Sequence, residues 1–270
     1  MDVEGGQDRV LSRMHALISL KFVLFPQGLA LLAWLVVAVV SRWTQYKRDR
    51  QLHAQLTQEL SYYGRLNHRH QRQFRDRVRA VVEDKEFIGR SIEVTPAMQN
   101  SLAASLVQLT FGLHLTTLAH FTRIIVYPDR YRSRIGQSDH VGEVNPGLRT
   151  IVVSWKRFCE DNHVTDDGRN LGLHEMAHAL WFEDRTGNAD LIRLDKRLMA
   201  RWRELAKVEA ARIHAGNSSL FRDYAGTNQE EFFAVAVEYF FEQPAEFRQA
   251  LPELYATMAG LLKQDPANGV

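Results

Sequence analysis

Two histidines four residues apart, His174 and His178, sit inside an otherwise apolar run, NLGLHEMAHALWF, from Asn170 to Phe182. Any fold of this chain has to bury that run while giving both imidazoles and the adjacent Glu175 something to bind. Leu171, Leu173, Met176, Ala177, Ala179 and Leu180 form the apolar surroundings of a buried helix, and Asn170 is a suitable residue to start it. On a helix, positions i and i+4 share a face, so both imidazoles can point at one ion. Glu175 is turned by about 100° from His174 and can reach a metal-activated water without itself being a ligand. Buried without partners, these three polar groups would be costly.

A catalytic zinc site needs a third protein ligand and an open position. Asp184, six residues beyond His178, would serve only if a glycine at position 181 turned the chain, and Trp181 stands there. The stronger candidate lies in DYAGTNQEEFFAVAVEYFFEQPAEF, Asp223 to Phe247. Thr227 or Asn228 can cap a helix there. Within it Glu231 and Glu238 share a face among Phe232, Phe233, Val235, Phe240 and Phe241, where carboxylates are seldom found unless paired or on a metal. Glu230, at the helix entrance, is explained as a solvated acid favoured by the helix dipole. Glu231, 53 residues after His178, is the predicted third ligand, and Glu238 a candidate acceptor for a histidine N–H.

Near the other end, Val23 to Val40 is an 18-residue apolar run whose last 13 residues carry no polar side chain. Extended back to Leu17, it is long enough for a membrane helix at about 1.5 Å per residue. Trp43 and Tyr46 follow where interfacial aromatics would sit, and no small-residue cleavage site of a signal peptide follows the run. Arg42, Lys47, Arg48 and Arg50 outweigh the charges before it, which predicts a membrane anchor with the C-terminal domain in the cytoplasm. A soluble cytoplasmic protein, with the run as a core helix, is the alternative.

Between these features, Leu52, Leu56, Leu60, Phe74, Val78, Val81 and Val82 recur at helical spacing, with the many arginines read as a solvated face. Strands are predicted at Ser91 to Thr95, Phe121 to Pro128 and Leu148 to Trp155, with a helix from about 97 to Gly112 and a polar loop after Pro128. Helices follow at about 168–183, 189–215, 228–242 and 245–263. The net charge of +2 offers no global field for nucleic acid. A single cysteine, Cys159, excludes an intramolecular disulfide framework and a Cys-rich zinc site.

At IIVYPDRY, TIVVSW, LHEMAHAL and above all DYAGTNQEEFFAVAVEYFFEQPAEF, the chain resembles the Mlc titration factor A family of zinc peptidases, over roughly Tyr62 to Gln264. The resemblance implies an α+β, zincin-like metallopeptidase domain with a small β-sheet and a helical C-terminal half. It makes His174, His178 and Glu231 ligands of one catalytic Zn2+ and Glu175 the general base. It alone places Tyr224 in the active site, donating to the substrate oxyanion. The apolar run lies outside it.

Three parts are therefore expected: residues 1–45 with the anchor at about 17–40, a basic helical juxtamembrane region 46–86, and the metallopeptidase domain 87–270. The expected reaction is hydrolysis of a peptide or protein substrate by a metal-activated water, with the strand ending in IVVSW able to hold an extended substrate by β-addition. The competing reading is a membrane-tethered protein that sequesters a protein regulator and whose zinc is structural or weakly catalytic.

Overall fold

The structure is a computed structural model that describes residues 34–113, 117–132, 139–186 and 194–269. The chain divides into two compact units, Met1–Gln51 and Leu52–Val270. In the first, residues 34–51 are helical, with Trp34, Leu35, Val36, Val37, Val39, Val40, Trp43 and Tyr46 exposed. Most of the anchor predicted at 17–40 lies outside the described residues. Among the described residues no helix is long and apolar enough to cross a membrane, so the predicted transmembrane helix gains no support.

The second unit opens with helical residues 52–59 (α1), then α2 (Ser61–Arg65) and α3 (His68–Asp84). These helices share a core with the rest of the second unit. Leu52, Leu56, Tyr62, Tyr63, Phe74, Val78 and Val81 are buried in the same core as the metal-motif helix. The arginines of α3 are not all solvated either. Arg77 is buried and donates to the carbonyls of Thr110 and Phe111 at 2.8 Å, where α4 (Pro96–Thr110) ends and its last carbonyls have no helical donors.

A four-stranded sheet has the order β1 (Glu86–Gly89), β2 (Arg123–Tyr127), β6 (Thr150–Ser154) and β5 (Gly142–Asn145). The first three run parallel, and β5 runs antiparallel at the edge. All five residues of β6 are buried, as the unbroken run TIVVS requires of a strand covered on both faces. The strand predicted at Ser91 to Thr95 falls instead at Glu86–Gly89, because it is 86–89 that pair with 123–126. β3 (Tyr131–Arg132) and β4 (Asp139–His140) form a separate two-stranded ladder. This ladder and β5 occupy part of the stretch expected to be a polar loop.

Ser154 caps an unforeseen helix, α5 (Trp155–His163), and then come α6 (Leu171–Arg185), α7 (Lys196–His214), the 3-10 turn Asp223–Gly226, α8 (Gln229–Glu242), α9 (Pro244–Ala250) and α10 (Pro252–Leu262). Proline at the first turn of both α9 and α10 divides the helix expected over 245–263. α6 and α8 pack against each other in the centre, and α6 also lies against β5 and β6. Asn170 caps α6 through the amide of Leu173, and Asn228 caps α8 through those of Glu230 and Glu231, each cap worth about 1 kcal/mol.

Candidate metal centre

The packing of α6 on α8 brings His174, His178 and Glu231 together, with one potential ligand atom from each inside a sphere of contacts no wider than 4.8 Å. His178 Nε2 is 3.1 Å from His174 Nε2, and Glu231 Oε2 is 3.2 Å from His174 Nε2 and 3.4 Å from His178 Nε2. Despite that proximity, Glu231 Oε2 is buried and in none of these contacts does the geometry make it a hydrogen-bond acceptor. Three such atoms converging, with Glu231 Oε2 satisfied by neither imidazole, is the arrangement expected of ligands. Donors about 2.0–2.2 Å from a tetrahedrally bound ion stand about 3.3 Å apart.

The protonation pattern agrees. His174 Nδ1–H donates to Glu238 Oε1 at 2.7 Å, because a carboxylate can only accept. In its neutral form the ring then turns its Nε2 lone pair toward His178 and Glu231, the arrangement in which a carboxylate orients a metal-binding imidazole. Burial opposes charge on His174, yet Glu231 and Glu238 outweigh it and push its pKa up to about 10. Burial likewise opposes charge on Glu231, but the two histidines beside it hold its carboxyl well below the usual range. The cluster favours a positive charge at its centre, and the donor set fits a divalent metal ion.

Glu175 is 4% exposed, and burial raises its pKa, partly offset by His174 and His178. Its carboxylate lies against the backbone of Gly142 in β5, so closely that a Cβ there would fall 2.1 Å from Oε1. Tyr224, in the 3-10 turn, is half exposed, with its ring centroid 6.2 Å from that of His174. Burial and the charge of Glu231 push its hydroxyl above the ordinary tyrosine range. His174, Glu175, Tyr224, Glu238 and Gly142 line one open cavity of about 430 Å³. Asp184 is elsewhere: α6 runs straight through Trp181, and Asp184 Oδ1 accepts from the amide of Leu194 at 2.8 Å.

Two contributors have no motif. Gly142 lies in what reads as polar loop, and Arg222 directly precedes DYAGTN. Arg222 donates to Glu238 Oε1 and, at 2.7 Å, to the carbonyl of Gly168. The signal for a residue of this kind was Glu238 itself, since a carboxylate in so apolar a helix calls for a cationic partner.

Residues 38–263 match the family described as glucose-regulated metallo-peptidase M90. The chain belongs to that family. The matched region includes α1 to α3 together with the metal-motif helix, in keeping with their shared core. A protein of Synechocystis sp. is 25% identical over 220 residues, covering 75% of this chain and 80% of its own length. Mlc titration factor A of Edwardsiella ictaluri is 28% identical over 205 residues, covering 70% of this chain and 78% of its own. The Mlc titration factor A of Yersinia pestis is 25% identical over 211 residues, covering 69% and 74%. The family's description points to metallopeptidase-like chemistry, and the His-His-Glu group is where the described residues can hold a metal.

Proposed function

We propose that this chain is a zinc-dependent peptidase. His174, His178 and Glu231 would hold the ion, leaving a position open toward the cavity. When bound there, zinc supplies Lewis acidity, which makes water a nucleophile near neutral pH and polarises a carbonyl. The observation that carries the reading is the convergence of His174 Nε2, His178 Nε2 and the unsatisfied Glu231 Oε2, with Glu175 next in sequence and buried beside them.

Glu175 takes a proton from the attacking water and returns it to the leaving amine. Tyr224, kept protonated, donates its hydroxyl hydrogen to the oxygen that gains charge. An extended peptide is held by backbone pairing, but not on β6 as the sequence suggested: β6 has β2 on one side and β5 on the other. β5, next to Glu175, has no strand neighbour on its outer side among the described residues, and is the edge available for pairing.

The reading is tested by metal analysis and peptide cleavage on the wild type, Glu175→Gln, His178→Ala and Glu231→Gln. It requires stoichiometric zinc and cleavage in the wild type, zinc without cleavage in Glu175→Gln, and loss of zinc in the other two. Zinc-loaded wild type that cleaves no peptide in a broad library would overturn it. The name Mlc titration factor A, borne by relatives, supports a second reading in which the chain binds a protein regulator. In that case Glu175→Gln keeps full biological function.

A further inference from the structure

Glu238 is 2% exposed, in the middle of an apolar helix, so its carboxylate has to be compensated where it lies. Three groups donate to it. Oε2 accepts from the backbone amide of Asn170 at 2.8 Å, and Oε1 accepts from His174 Nδ1–H at 2.7 Å and from Arg222. Of the three donors, Arg222 is the one whose positive charge is permanent. Asp161 adds negative charge close to Glu238. Arg157 is committed to Asp161, at 2.8 Å.

The other arm of the same guanidinium donates to the carbonyl of Gly168, at 2.7 Å. Gly168 has φ of +70°, and a Cβ there would fall 2.6 Å from the ring of Tyr239, so glycine is needed to present that carbonyl. Arg222 is also the residue from which the 3-10 turn of Tyr224 starts, and its own carbonyl accepts from the amide of Ala225 at 2.9 Å. One side chain thus joins three segments: the approach to α6, the centre of α8, and the turn that carries Tyr224.

We propose that Arg222 is a positioning residue, whose forked guanidinium holds Glu238 against the His174 imidazole and pins the Tyr224 turn to the N-terminal end of α6. The inference rests on the metal-centre reading for its first arm only. Without Arg222, the buried Glu238 loses its ionic partner and holds the imidazole less firmly, which weakens zinc binding. Without the fork, the Tyr224 turn is released whether or not a metal is bound.

The test uses the full chain and two readouts besides cleavage: zinc affinity by competition with a chromogenic chelator, and hydrogen exchange of the Ala225 and Thr227 amides. Arg222→Gln should lower zinc affinity by about 10-fold or more and speed exchange at both amides. Arg222→Lys, whose point charge can serve Glu238 but not both acceptors, should regain most of the zinc affinity while exchange stays fast. In a Glu238→Gln background, Arg222→Gln should cost no further zinc affinity. Wild-type zinc affinity in Arg222→Gln, or an equal additional loss in the Glu238→Gln background, overturns the first arm. Unchanged exchange in both variants overturns the second. A wild type that binds no zinc overturns both the metal-centre reading and the first arm, and exchange still decides the second. If Arg222→Gln fails to fold, Arg222→Lys decides the second arm by its exchange, and Arg222→Met takes the place of Arg222→Gln for the first, with and without Glu238→Gln.

Discussion

Gly142 and Glu175 touch where no side chain could stand between them: a Cβ on Gly142 would fall 2.1 Å from Glu175 Oε1 and 2.4 Å from its Cδ. The edge strand and the proposed general base therefore share one volume. Glu175 is too deeply buried to swing aside freely. Gly142→Ala should displace that carboxylate while leaving the three proposed metal ligands on α6 and α8 untouched. A displacement of about 1 Å in a reacting group costs on the order of 100-fold in rate. The expected result is a fall in kcat of about that size with zinc content unchanged, and a still greater fall in Gly142→Val. Equal kcat in Gly142→Ala and wild type would show that the carboxylate has room elsewhere.

Removing ligands and removing the base should separate cleanly. His178→Ala and Glu231→Gln each strip one donor from a three-donor site, and dialysis against a weak chelator should empty them while the wild type keeps its ion. Glu175→Gln keeps the donors and loses only the proton acceptor, so turnover should drop by about 100- to 10,000-fold with zinc retained. Plasma emission spectrometry on the same samples used for kinetics gives both values at once.

The difference between these sets of residues follows what was legible beforehand. His174, Glu175 and His178 are tied by helical periodicity within five residues, and Glu231 betrays itself as a carboxylate among phenylalanines. The helices 96–110, 171–185 and 229–242 follow from the same periodicity, and the last two also from caps at Asn170 and Asn228. β5 has no such local signature, since GEVN is short and half-buried throughout, and only its pairing with β6 defines it. Gly142 matters because of a residue 33 positions away, and Arg222 because of buried Glu238. Arg77 misleads for the converse reason. In the sequence it is one arginine of a basic helix, but its partners are carbonyls at the end of α4.

That placement makes Arg77 a stability residue. Its guanidinium, 3% exposed, satisfies Thr110 O, Thr110 Oγ1 and Phe111 O, and burial lowers its pKa. Arg77→Ala takes the guanidinium from Phe111 O, leaves Thr110 O with only the Leu113 amide, and opens a cavity. The expected loss is about 3 kcal/mol in urea unfolding, against less than about 0.5 kcal/mol for Arg79→Ala on the exposed side of α3. Zinc affinity of the folded Arg77→Ala protein should match the wild type, since neither α6 nor α8 loses a partner.

Glu242 gives a pH dependence of stability with the opposite sign from most carboxylates. Its Oε1 accepts from Asn170 Nδ2 at 3.0 Å, while Oε2 is buried without a partner. Burial, with Asp167, Glu238 and Asp161 nearby, pushes its pKa up to about 8, from 4.5. Over that interval the native state holds a proton that the unfolded chain has released. Stability from this group is complete below about pH 4.5, falls as pH rises, and is lost by about pH 8. Glu242→Gln removes the titration while keeping an acceptor for Asn170. With zinc content held constant, the variant should match the wild type at pH 4.5 and exceed it at pH 8 by roughly 1–3 kcal/mol. A variant less stable than wild type at pH 8 would mean that the ionised carboxylate has a favourable partner in the native state.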